Sequence, residues 1–66
     1  MTGQELRDTR QALGMTQAEM AETLGVTQGA VSMMESGVRP VTPRTERQVR
    51  QLLALERARS AFRDRG

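Results

Sequence analysis

Sixty-six residues, 36% of them hydrophobic, allow one small core, and with no cysteine and no histidine nothing braces it by disulfide or by a Cys/His metal centre. No apolar run approaches the roughly 20 residues of a membrane span, and no signal-peptide pattern opens the chain. The lack of cysteine suits a reducing cytosol, so the expectation is a cytoplasmic protein stabilised by close helix packing, completed where needed by a second copy. Net charge is +2, unevenly spread. Residues 1–38 carry Arg7 and Arg10 against Glu5, Asp8, Glu19, Glu22 and Glu35, a balance of −3. Residues 39–66 carry eight arginines against Glu46, Glu56 and Asp64, a balance of +5. A basic half supplies the field that attracts nucleic-acid phosphates; the same pattern also describes a solvated helix face with a charged tail.

Helix starts repeat along the chain. Thr2-Gly3-Gln4-Glu5 and Thr16-Gln17-Ala18-Glu19 both fit the capping box, in which threonine accepts a free backbone N–H and glutamate reaches back to the cap. The first predicts a helix with Leu6, Thr9, Arg10 and Leu13 on one face, ended by Gly14. The second predicts one with Met20, Ala21 and Leu24 on an apolar edge, closed by Gly25. Thr27 caps a third, whose inward positions are Ala30, Val31 and Met34, and Ser36-Gly37 ends it. Val38-Arg39-Pro40-Val41 reads as a turn or extended link, because a residue before proline is biased away from the helical region. Thr42-Pro43 then announces a last helix over about 43–64. Val49, Leu52 and Leu53 share one of its faces. Leu55, Ala58 and Phe62 share another, rotated by more than a quarter turn, so this helix either bends into two or offers its second face to a partner. No stretch alternates as a strand does, which makes the expected fold all-helical with four or five helices.

The turn Leu24-Gly25-Val26-Thr27 between the second and third helices is very short and forces them to cross steeply, as a helix-turn-helix requires. Ala21 must be small where the axes approach, and Val31 and Met34 anchor the third helix on the core. Its other face is left free for a major groove, which admits a helix.

This stretch, TQAEMAETLGVTQGAVSMMESG over Thr16–Gly37, resembles the phage repressor and Cro family, whose bacterial members are called Xre-type regulators. With the preceding helix and Arg39-Pro40, the resemblance covers roughly residues 3–55, and the helix-turn-helix itself about 17–37, within one domain spanning 1–66. It implies a compact lambda-repressor-like domain that binds double-stranded operator DNA. The roles it implies are base contact by Gln28, Gly29, Ser32 and Met33, and phosphate contact by Gln17, Thr27, Arg39 and Arg44. A glutamine amide bonds adenine N6 and N7 together, so Gln28 is the main reader. Gly29 stands where the family often uses a reading side chain, so that side-chain contact is absent and backbone or water approaches the groove instead, and DNA shape is expected to carry much of the specificity. Arg10 and Glu35 match a structural ion pair of the family.

The resemblance also implies a homodimer over an inverted repeat, acting as an autoregulating repressor in a bacterial or phage-infected cell, with Leu55, Ala58 and Phe62 as the candidate dimer surface. The rival reading is an antitoxin or adaptor that binds a partner protein, a toxin or another regulator, through the same last helix. Catalysis is not expected: the sequence has no nucleophile–base pair, no phosphate-cradling glycine loop and no enclosed pair of carboxylates. No cofactor, metal or membrane is implied.

Overall fold

A computed structural model describes the backbone of residues 1–64 and the side chains of residues 1–61. It contains four helices and, among the described residues, no strand: α1 (Gly3–Ala12), α2 (Gln17–Leu24), α3 (Gln28–Ser36) and α4 (Pro43–Asp64). A threonine precedes each helix and caps it. The Oγ1 atoms of Thr2, Thr16, Thr27 and Thr42 accept the backbone N–H groups of Glu5, Glu19, Ala30 and Thr45 at 3.1–3.2 Å. Glu5 and Glu19 complete reciprocal capping boxes by accepting the N–H groups of Thr2 and Thr16. These backbone hydrogen bonds, first of all, hold both carboxyl groups below their ordinary range.

Gly25 ends α2 with φ at 72°, a conformation that costs residues with a Cβ but not glycine. In that conformation the Val26 N–H donates to the Ala21 carbonyl at 2.9 Å, so the chain reverses within two residues and α3 begins at once. This local chemistry sets the three-residue turn that separates α2 from α3.

Each helix supplies one completely buried large side chain: Leu6 from α1, Met20 from α2, Val31 from α3 and Val49 from α4. Ala21, Leu24 and Met34 complete the buried cluster, with Met1, Leu13, Met15, Val41 and Leu52 packed at its edges. Each large side chain withdrawn from water contributes about 1.5–3 kcal/mol, and the four helices meet at these four residues in one small core. The Met1 ammonium pairs with Glu46, tying the start of α1 to α4.

α4 is one unbroken helix of 22 residues and accounts for the long 42 Å dimension of a molecule only 20 × 18 Å across. Val49 is buried and Leu52 and Leu53 are half-buried, whereas Leu55 and Ala58 are exposed. The second apolar face therefore lies on the part of the helix that outruns the core. No helix among the described residues is long and apolar enough to cross a membrane.

Candidate nucleic-acid interface

The two faces of α3 differ sharply. Ala30, Val31, Met34 and Glu35 are each at most 6% exposed. Gln28, Gly29, Ser32 and Met33 are all exposed and, at 100° per residue, share an arc of about 140°. The buried arc fastens α3 to α1 and α2, and the exposed arc is presented as one surface. Thr27 stands at the head of this surface with its Oγ1 accepting the Ala30 N–H. The first N–H groups of a helix have no partner within it, so the amides of Gln28 and Gly29 add donors beside the Gln28 side chain. Met33 is 40% exposed, an apolar tip on an otherwise polar surface.

Gly29 has no packing reason to be glycine. A Cβ there would meet only Thr27 Oγ1, at 3.9 Å. Gly29→Ala is expected to stabilise the fold by roughly 0.5 kcal/mol, the low end of the glycine penalty because the residue lies in the first helical turn. A thermal scan checks this: a lowered midpoint would mean that the space at Gly29 is structurally required.

Behind this surface lies a cluster around Glu35, whose side chain is completely buried. Arg10 grips it with two bonds, Nε to Oε2 at 2.7 Å and Nη2 to Oε1 at 3.2 Å, and donates Nη1 to the Met15 carbonyl at 2.9 Å. Gln17 donates Nε2 to Glu35 Oε1 at 3.2 Å, and Arg7 donates Nε to the same oxygen at 3.4 Å. Burial pushes the Glu35 carboxyl upward. The hydrogen bonds of Arg10 and Gln17, the Arg10 charge and the Arg7 bond outweigh it, leaving the group below its ordinary value and ionised. One carboxylate thus joins α1, α2 and α3, and Arg10 extends the cluster to the loop at Met15. Gln17, the first residue of α2, is half-buried and already engaged within the protein, which leaves its backbone N–H and the rest of its amide for any outside ligand.

Arg39 and Arg44 are exposed and line one open cleft of about 520 Å³ beside α3, floored by Leu24, Ala30 and Met34. Neither makes an ion pair among the described residues, in contrast to Arg50, which pairs with Glu46 at 3.5 Å one turn away. Leu55 and Ala58 lie apart from these groups on α4, and the Phe62 side chain lies outside the described residues. Arg7 was not singled out from sequence. The available signal was its position three residues before Arg10, which puts both on one edge of α1.

A family model described as helix-turn-helix matches residues 6–58 of the chain. No curated protein and no solved structure gives a significant match.

Proposed function

Because the chain belongs to the helix-turn-helix family of Xre/Cro-like DNA-binding regulators, we propose that it is a dimeric repressor that binds an inverted-repeat operator through α3. The division of α3 carries this reading: a buried arc locks the helix in place, and Gln28, Gly29, Ser32 and Met33 are free on the other side. Gln28 reads adenine through its amide, Ser32 reaches a base edge, and Met33 meets a thymine methyl group. Thr27, Arg39, Arg44 and Gln17 hold the flanking phosphates, and these contacts set the register on the duplex without reading sequence. Bound across a promoter, including its own, the protein would block polymerase.

The test is a random-sequence selection followed by titration of the enriched duplex and a scrambled one at two salt concentrations. Selective binding that weakens with salt supports the reading. Weak, equal binding to both duplexes would favour a protein-interaction role instead. On the enriched site, Gln28→Ala should lose about 1–3 kcal/mol while binding to the scrambled duplex is spared; equal losses on both would remove Gln28 from base reading.

Dimerisation is assigned to α4. Leu55 is 56% exposed and forms a ridge between two small hollows, one bordered by Thr23 and Gln51 and the other by Leu13 and Met15. A second copy laid across this ridge would bury Leu55 and Ala58 and hold two α3 helices about one DNA turn apart. Leu55→Glu is expected to give a folded monomer in sedimentation, with reduced operator affinity; a dimer that persists would place the seam elsewhere.

A further inference from the structure

The Glu35 carboxylate is loaded unevenly. Its Oε2 accepts one bond, from Arg10 Nε, whereas its Oε1 accepts three, from Arg10 Nη2, Gln17 Nε2 and Arg7 Nε. A carboxylate oxygen has about two lone-pair sites, so three donors exceed what it serves well. The longest of the three, at 3.4 Å, belongs to Arg7. Charge gives the same ranking. Arg10 alone neutralises Glu35 through its two-bonded grip, which leaves the Arg7 charge in excess. That side chain is 43% exposed, and among the described residues its Nη groups have no hydrogen-bond acceptor.

The neighbouring carboxylates are directed elsewhere. Glu5 lies two residues from Arg7, and Glu19 two residues from Gln17, separations of about 200° around a helix. Both are occupied with the backbone N–H groups of their own caps. The Gln17 amide is also oriented, since a carboxylate only accepts and so must face the amide nitrogen. Its second N–H and the Arg7 Nη groups therefore remain available near one point, at the start of α2.

We propose that Arg7 joins Gln17, already given a phosphate above, in a phosphodiester clamp outside the reading helix, with Glu35 as the positioning residue that fixes Gln17 and keeps Arg7 beside it. This rests on the DNA-binding reading above and extends it to α1. Arg7 is the weakly held member, because its one bond to Glu35 is the longest, at 3.4 Å, and Arg10 keeps both Glu35 oxygens bonded without it. Gln17 is the fixed member, held from behind by the buried carboxylate.

The test measures affinity for the enriched operator and for a scrambled duplex across a salt series. Arg7→Gln should flatten the slope of log affinity against log salt by about 0.9 per bound protomer, about 1.8 for a dimer, on both duplexes, while the thermal midpoint stays nearly unchanged. Arg7→Lys, which keeps the charge, should restore the slope. Arg57→Gln, exposed on α4, is the control for net charge alone. An unchanged slope for Arg7→Gln, or equal flattening by Arg57→Gln, overturns the clamp and leaves selective binding by the parent protein intact. A parent protein that binds neither duplex overturns both readings. For Glu35 the informative variant is Glu35→Gln, titrated at a temperature where circular dichroism shows it folded. It should weaken binding in the parent background and have no further effect in the Arg7→Gln/Gln17→Ala background. Equal weakening in both backgrounds would make Glu35 structural only.

Discussion

Glu35→Ala is expected to cost about 3–5 kcal/mol, the penalty of leaving one member of a buried ion pair behind. A domain of this length has a total stability of roughly 3–10 kcal/mol at 0.05–0.15 kcal/mol per residue, so the variant should lose between about a third and all of it. The cause is the stranded partner. Arg10 is only 13% exposed, and without Glu35 two of its three protein hydrogen bonds disappear while its charge stays out of water. Replacing both residues, Arg10→Met with Glu35→Leu, should cost much less, because no charge is then left uncompensated. Urea denaturation of the three proteins checks the order; a double variant as unstable as Glu35→Ala would locate the contribution in hydrogen-bonded geometry, not in the stranded charge. The pair also predicts a pH dependence. The Glu35 carboxyl lies below its ordinary value in the folded chain, so on acidification the unfolded chain takes up this proton first. The stabilisation is present above the unfolded value of about 4.3 and is lost as pH falls through the lower folded value. The double variant should lack this component of acid denaturation.

The parts of the fold legible in the sequence are those governed by nearest neighbours. Four capping threonines and the stop at Gly25 act within five residues, so a local rule reads them correctly. Periodicity also identifies Ala30, Val31 and Met34 as the inward side of α3. The Glu35 cluster is a different matter. Arg10 and Glu35 are 25 residues apart, and only the family resemblance joins them beforehand. Gln17 enters the same cluster without any sequence signal, because a neutral amide belongs to no charge pattern. The apolar face of α4 shows the opposite limit. Leu55 and Ala58 are recognisable as a face from their spacing, but spacing cannot say that the core ends before it reaches them.

Gly3 was legible only as a filler inside the first capping box, yet its substitution should have the second-largest effect on stability. A Cβ at this position would lie 2.2 Å from the Met34 carbonyl oxygen and 2.7 Å from that of Glu35. Both are backbone atoms in the last turn of α3, and no side-chain rotation relieves the overlap. α1 would have to move away from α3, but Leu6 is completely buried and Arg10 is bonded to Glu35, so translation disturbs the core and the ion pair together. Overpacking costs about 1–3 kcal/mol, the upper half of that range, about 2–3, where rigid backbone is met, and the better helix propensity of alanine returns about 1 kcal/mol. Gly3→Ala is therefore expected to lower the thermal midpoint by roughly 4–16 °C, at 4–8 °C per kcal/mol for a domain of this size. Gly29→Ala is the same chemical change on the open face of α3 and should raise it. Opposite signs in one set of scans would separate a glycine required by helix packing from one that packing leaves free. A neutral Gly3→Ala would show that α1 slides on α3 without loss, and would then predict that the Arg7 and Arg10 bonds to Glu35 also tolerate displacement.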